Sequence, residues 1–158
     1  MTAGRVNYNP AISTSFKLEI PGFEDYNYFV TSCPLPGLNM GGVETAYKNN
    51  ATNVPSNRVE YDPVTMTWIV SEDLSNHTRI RTWMHEFAFG RRPITEVMLD
   101  INLIILNSNK VPIRKVTFIE AYPTMMSELQ LESGVTDAMP IMCSTTFRYQ
   151  AYDVTPIV

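Results

Sequence analysis

The chain has 158 residues, which fits one domain long enough to bury a core of its own. Hydrophobic residues make up 44% and charged residues 18%, and the net charge is −4 with a pI of about 5.1. This acidic balance argues against tight nucleic-acid binding, which needs a basic surface to neutralise phosphates. No stretch approaches the roughly 18 apolar residues of a membrane span, so we expect no membrane contact.

The amino-terminal part of the chain predicts a flexible arm followed by two strands. Residues 1–13 are polar and irregular, which is typical of an arm. The stretch "SFKLEI" (15–20) alternates between apolar and polar residues, as a half-buried strand does. We predict a second strand over "YNYFVTSC" (26–33), ended by "PLPG" because prolines do not sit in a central ladder.

A long polar stretch covers residues 39–57 and is rich in glycine, asparagine and threonine. It exceeds the roughly 12–15 residues beyond which a structureless loop is uncommon in a compact domain. We predict a long extended loop here. Because "VETAYK" (43–48) has the composition of a short strand, a hairpin arm is the preferred interpretation.

The stretch "VTMTWIV" (64–70) predicts a strand with one apolar face and one threonine-rich face. The period then changes, because Ile80, Trp83, Met84 and Phe87 fall at the spacing of one helical stripe. We therefore predict a helix over about 75–88. Asp73 or Ser75 can cap its start, and Gly90 favours its end.

The second half of the chain predicts strands and turns only. These are strands over 96–106, 113–123 and 142–154, with a short acidic strand or link over 127–133. The complete pattern has six to eight strands and one helix, without strand–helix alternation. It predicts a mainly β fold, in which two packed antiparallel sheets form a sandwich or barrel with one flanking α-helix, as a single domain over 1–158.

The sequence offers no constellation that supports catalysis, metal binding or cofactor binding. The only histidines are His77 and His85, and "HEFAF" fails as a zinc-protease motif because Phe89 stands where the second histidine is needed. Cys33 and Cys143 are widely spaced, and two reduced thiols are favoured over one disulfide. We predict that the protein is not an enzyme and binds no cofactor.

Several stretches in order resemble the tail tube proteins of contractile phages. The strand "VTMTWIV", its acidic stop and the helix containing "TRIRTWM" resemble the strand–helix unit of that family. Upstream, "FVTSCPLPGL" is similar to its proline-rich bend. Downstream, "DINLIIL", "VTFIEAYPTMMSELQLES" and "TTFRYQAY" resemble its ending. The resemblance covers about residues 14–153 and lies in order and spacing, since no single motif is diagnostic.

The resemblance implies a virion protein that assembles with itself in the tail. In this family six copies form a ring, adjacent inner sheets join into one barrel, and stacked rings form the tube. The implied partners are the tail sheath protein, the baseplate hub or initiator, the tail terminator, and genomic DNA as transient cargo in the lumen. The implied location is the phage tail, with assembly in the host cytoplasm.

Two sets of residues are candidates for roles in such a tube. The polar arm is suited to contact a neighbouring subunit, because a strand can add to an exposed sheet edge. Its candidate contact residues are Val43, Glu44, Thr45, Tyr47 and Lys48. An acidic lining lets phosphates slide, and the candidate lumen-facing residues are Glu44, Glu60, Asp62 and Asp100.

Three alternatives remain open at the level of sequence. The first is a baseplate initiator, which has the same fold and starts tube growth, and the second is a type VI secretion tube protein. The third, from another class, is a small β-sandwich that binds a ligand in a pocket with convergent polar groups. The sequence does not distinguish a tube subunit from an initiator, nor does it identify the residues that line the lumen.

Overall fold

The computed structural model describes residues 15–47, 50–134 and 136–157, so the predicted arm over 1–13 lies outside the described residues. The strands are β1 (Phe16–Glu19), β2 (Val30–Ser32), β3 (Leu38–Tyr47), β4 (Asn50–Tyr61), β5 (Val64–Ile69), β6 (Leu99–Leu106), β7 (Pro112–Met126), β8 (Met142–Arg148) and β9 (Ala151–Pro156). The helices are α1 (Glu24–Phe29), α2 (Ser75–Phe89) and α3 (Ile94–Val97).

The strands form one large sheet and one hairpin, all antiparallel. The large sheet follows the order β1-β6-β7-β8-β5-β2, with β9 paired to β7 as well, and it curls into a nearly closed barrel. The second sheet contains β3 and β4 alone. The predicted mainly β architecture with two antiparallel sheets is therefore confirmed, and the long loop over 39–57 takes the preferred form of a hairpin arm.

Strand β7 belongs to both sides of the barrel. Its first part pairs with β6 and β9, and its last part pairs with β8. The change occurs beside Glu120, whose φ of 52° is unusual for a residue other than glycine. The carboxylate of Asp100 accepts a hydrogen bond from the Glu120 amide at 2.9 Å, which holds this irregular position in place.

The core lies between the two sides of the barrel and under α2. The predicted alternation of β5 is confirmed, because Met66 and Trp68 are fully buried while Thr65 is exposed. Helix α2 contributes Ile80 and Trp83 to the same core. Burial of large apolar and aromatic side chains supplies the main stabilisation of such a fold.

Both tryptophans also satisfy their polar atoms inside the core. The indole nitrogen of Trp68 donates to the hydroxyl of Thr145 at 2.9 Å, and that of Trp83 donates to the Val97 carbonyl at 2.7 Å. Buried donors without partners cost free energy, so these bonds fix the position of each ring. Trp68 thereby joins β5 to β8, and Trp83 joins α2 to α3.

Helix α2 covers the predicted span, but its first turn is not capped as predicted. Leu74 adopts a left-handed conformation at the start, and no side chain caps the helix, although the Asp73 carboxylate accepts the Ser75 amide at 3.1 Å. The side chain of the buried Asn76 instead ties the helix start to the preceding segment, because it accepts from the Ser71 amide and hydroxyl and donates to the Ile69 carbonyl. The helix ends at Gly90, whose φ of 58° suits glycine.

The predicted strand over 26–33 is wrong for most of its length. Residues Glu24–Phe29 form a short helix, and only Val30–Ser32 form a strand. The side chain of Asn27 bonds both the amide and the carbonyl of Ile20, at 2.9 and 3.2 Å, which closes the turn that starts the helix. Tyr26 is then buried against Trp68, with ring centres 5.0 Å apart. Tertiary packing thus overrides the β preference of the aromatic residues.

Two further details complete the comparison with the sequence predictions. Residues 127–133 form the predicted link and not the alternative strand, because this segment bonds β8 only at Ser127 before it leaves the sheet. The last predicted strand divides at Tyr149 and Gln150 into β8 and β9, which pair with different parts of β7. Cys33 and Cys143 are free thiols, as expected.

Candidate assembly surfaces

The hairpin of β3 and β4 exposes apolar side chains in two cross-strand pairs that the body does not cover. Its strands pair only with each other in the part of the chain that the structure describes. Val43 lies opposite Val54, and Met40 lies opposite Val59. An exposed apolar surface of this kind marks an interaction site in a soluble protein. The exposed fractions are 56% for Leu38, 61% for Met40, 60% for Val43, 48% for Val54 and 43% for Val59.

An aromatic cluster attaches the base of this hairpin to the body. The ring of Tyr61 lies 6.0 Å from that of Tyr149 and 5.6 Å from that of Tyr152, measured between ring centres. The Tyr149 hydroxyl donates to the Asp62 carbonyl at 2.7 Å, and partial burial raises its pKa to about 12. The Asp62 amide also donates to the Gly37 carbonyl at 3.3 Å, which joins the two ends of the hairpin. The cluster therefore sets the direction of the hairpin.

The predicted contact residues fall on the hairpin, although the structure contains no neighbouring chain that tests them. Val43, Glu44 and Thr45 lie on β3 and are exposed. Tyr47 is the last residue of β3, with its backbone paired to Asn50. Lys48 lies outside the described residues. The contact role of all five remains a prediction.

The predicted lumen-facing acids divide between two parts of the molecule. Glu44 and Glu60 lie on the hairpin, and Asp62 lies at its base. Asp100 lies on β6, where its carboxylate accepts the Glu120 amide. Asp100 thus has a structural role within its own chain, as a hydrogen-bond acceptor. The lumen role of the four acids remains a prediction.

The outer face of β5 and β8 carries a row of hydroxyl groups that sequence reasoning recognised only on β5. Thr65 bonds Thr146 at 3.0 Å, and Thr67 bonds Ser144 at 3.2 Å. These cross-strand pairs satisfy each other's hydroxyls and leave a neutral polar surface. The pairing of β5 with β8 was not readable from sequence, so the row could not be assembled from the threonine pattern alone.

The opposite side of the barrel presents a charged outer face instead. Lys17 on β1, Ile104 on β6 and Lys115 on β7 lie in one cross-strand row. In the next row Glu19 lies beside Asn102, whose amide oxygen accepts the Thr117 hydroxyl at 3.0 Å. Positive and negative charges therefore alternate along this face, in contrast to the neutral hydroxyl row.

Strands β1, β2 and β9 each have one side without a partner strand among the described residues. The edges of β1 and β2 border a groove of about 800 Å³ that is also lined by α1. Unpaired strand edges are templates for pairing with another chain. The body thus offers open edges in addition to the hairpin.

Within the described residues there is no group of three or more histidine, cysteine, aspartate or glutamate side chains that could hold a metal ion. His85 stacks on Phe89 at 5.3 Å on the solvent side of α2. Burial raises the pKa of the Cys33 thiol to about 12, which keeps the sulfur protonated and weakly nucleophilic near pH 7. None of the described helices is long and apolar enough to cross a membrane.

The sequence matches the family described as phage tail tube protein over residues 5–155. The tail tube terminator protein of Enterobacteria phage T4 is 23% identical over 158 residues, which cover 93% of this chain and 90% of that protein. The tube-terminating cap of the anti-feeding prophage has a similar fold, with a TM-score of 0.70, 14% identity and 99% of both chains covered.

A third similarity is to a chain of the sheath–tube complex of an extracellular contractile injection system. The TM-score is 0.64 at 11% identity, with 95% of this chain and 94% of that chain covered. At such low identities the two structural likenesses support the fold alone. The family match spans nearly the whole sequence and confirms the resemblance drawn from its motifs: the chain belongs to the phage tail tube protein family.

Proposed function

We propose that the protein is a ring-forming structural subunit of the inner tube of a contractile tail. Six copies form a ring, stacked rings form the tube, and the lumen conducts DNA. The observation that carries this proposal is the hairpin of β3 and β4, which projects apolar side chains that its own body leaves exposed. An isolated two-stranded hairpin is only marginally stable in water, so a neighbouring copy that covers it would stabilise it.

The open edges of the barrel support the same proposal. A ring closes when each subunit offers one surface to a neighbour and receives that neighbour's surface elsewhere. The unpaired sides of β1, β2 and β9 are suited to receive strands, and the hairpin is suited to reach them. In this arrangement Val43, Glu44, Thr45, Tyr47 and Lys48 contact the neighbouring subunit.

A subunit of the tail tube has the other components of the tail as its partners. The tube lies inside the sheath protein, starts at the baseplate hub or initiator, and ends at the tail terminator. DNA is transient cargo, which the net charge of −4 per chain favours because an acidic wall does not hold phosphates. Assembly takes place in the host cytoplasm, and the protein becomes part of the phage tail.

Deletion of residues 42–50 tests the proposal directly. We expect the shortened protein to remain folded, because the removed residues lie at the far end of a hairpin that pairs only with itself in the described chain. We also expect it to lose the rings or tubes that the intact protein forms in negative-stain microscopy. Tubes formed by the deletion variant would show that the hairpin is not the contact.

A second candidate is a terminator ring that closes the end of the tube. It is favoured by the similarity to the phage T4 tail tube terminator protein, which extends over 93% of this chain and 90% of that protein. A tube subunit polymerises to indefinite length, whereas a terminator stops at one ring and blocks further growth when added to growing tubes. Single rings that start growth instead would indicate a baseplate initiator.

A further inference from the structure

Two exposed surfaces outside the hairpin carry opposite charges and exposed apolar side chains. The first, the acidic hollow, lies in the connection between β7 and β8 and has a volume of about 860 Å³. Its defining residues are Leu131, Glu132, Asp137, Met139 and Met142. Leu131 is 76% and Met139 80% exposed, so the apolar residues of the hollow lack cover from the described chain.

The charge of the acidic hollow has one sign. Residues 127–141 include Glu128, Glu132 and Asp137 but no lysine or arginine. Glu132 and Asp137 both line the hollow and are exposed. A hollow lined by apolar and acidic side chains fits an apolar side chain flanked by cations.

The second surface, the basic knob, lies at the carboxyl end of α2 and consists of Arg81, His85, Phe89 and Arg91. The first three are spaced four residues apart, so they follow one stripe of the solvent face of the helix. His85 stacks on the Phe89 ring at 5.3 Å, and the Arg91 guanidinium lies 5.8 Å from the same ring centre. The ring at the centre of this stack is 64% exposed.

The cations of the knob are not neutralised within the described residues. No ion pair joins Arg81 or Arg91 to a described acid, whereas Arg92 lies 3.6 Å from Glu86 and 3.8 Å from Glu96. The negative end of α2 attracts a cation such as Arg91. That attraction explains the position of Arg91. It does not explain why the Phe89 ring is exposed to solvent between His85 and Arg91.

The hollow and the knob lie at opposite ends of α2. The Ile141 carbonyl, beside the hollow, accepts the amide of Val70, which precedes the helix, at 2.9 Å. The knob lies at the other end, and a helix of 15 residues is about 22 Å long. The two surfaces of one subunit therefore do not meet, although their charges are opposite in sign.

We propose that Phe89 of one copy inserts into the acidic hollow of the next copy, with Arg81 and Arg91 facing Glu132 and Asp137. Methionine side chains make favourable contacts with aromatic rings, which suits Met139 and Met142 as the receiving wall. The contact is head-to-tail, so repetition closes a ring or extends a stack. It rests on the proposed self-assembly and supplies a second contact, because a tube needs one around the ring and another between rings.

A pair of charge-reversed variants tests this contact. The first carries R81E and R91E, so its knob and hollow are both acidic. The second carries E132K and D137K, so both are basic. We expect each variant alone to associate at least about tenfold more weakly than the wild type, because like charges now face each other. An equal mixture should regain association, since each knob then meets a hollow of opposite sign.

Sedimentation velocity of the wild type, each variant and the mixture gives the readout, and circular dichroism confirms that each variant is folded. Wild-type-like association of either variant alone would overturn the proposal, as would a mixture that stays dissociated or a wild type that remains monomeric at millimolar concentration. F89A adds an uncharged check and should also weaken association. If the variants assemble normally while the hairpin deletion does not, the tube function stands and this contact fails.

Discussion

The barrel and the hairpin contain similar apolar residues, which are buried in the barrel and exposed on the hairpin. In the barrel, Met66 and Trp68 are fully buried in the core of the chain's own fold. In the hairpin, Met40 is 61% exposed, although it too lies on an antiparallel strand. The core of the barrel is thus buried within one chain, whereas the apolar side chains of the hairpin are not covered by the described residues. A strand pattern alone therefore does not tell which apolar residues stabilise the fold and which serve assembly.

The largest effect should come from W68A in the barrel. Removal of this fully buried ring leaves a cavity and leaves the Thr145 hydroxyl without its indole partner. We expect a loss of about 3–5 kcal/mol in the free energy of unfolding, measured by urea denaturation. T65A, on the exposed face of the same strand, is the matched control and should cost less than about 1 kcal/mol. Equal costs for the two variants would contradict the division between core and surface faces.

An intermediate effect should come from Y149F, at the junction between barrel and hairpin. The variant keeps the ring but loses the hydroxyl bond to the Asp62 carbonyl, so we expect a cost of about 1 kcal/mol at neutral pH. Y152F keeps the ring contacts of that cluster without removing this bond and should cost less. If the two variants cost the same, the hydroxyl bond does not hold the base of the hairpin.

The same residue predicts a pH dependence of stability. Burial raises the pKa of Tyr149 from its ordinary value of 10.0 to about 12, so the folded state holds this proton more tightly than the unfolded state. Its contribution to stability is therefore complete below about pH 10 and is lost as the pH rises through about 12. In Y149F, the urea midpoint should fall less over that range than in the wild type.

The smallest effect on folding, with a large effect on assembly, should come from the double variant M40S and V59S. These residues face each other on the hairpin and are exposed, so we expect the free energy of unfolding to change by less than about 0.5 kcal/mol. Ring or tube formation should fail in negative-stain microscopy. The adjacent pair changed by N39S and E60S is the control and should assemble. Normal tubes from the first variant would remove the apolar hairpin surface from the contact.

The sequence predicted the elements whose residues carry a clear period. The alternation of β5 and the helical stripe containing Ile80 and Trp83 each identified the buried face correctly. It failed over 26–33 because the helix there depends on Asn27 bonding Ile20 and on Tyr26 reaching Trp68. These contacts join residues from different elements, and a local pattern does not record them.

The candidate surfaces could be predicted from the sequence only in part, because a local pattern does not record which residues come together in the fold. The unusual length and polarity of 39–57 identified the hairpin as an arm. The candidate lumen acids lie on the hairpin, at its base and on β6, where Asp100 also supports the irregular backbone at Glu120, and their lumen role stays a prediction. The sequence did not indicate the acidic hollow, because its methionines come together only when the connection after β7 folds back toward β8.

Strand β7 has a consequence for how the molecule opens. Its 15 residues pair with β6 and β9 at one end and with β8 at the other, so both sides of the barrel share one backbone. Neither side can separate from the other while β7 keeps its ladder. Amide protons at the centre of this strand should therefore exchange with solvent only when the whole barrel unfolds, whereas those of the hairpin exchange through local fraying.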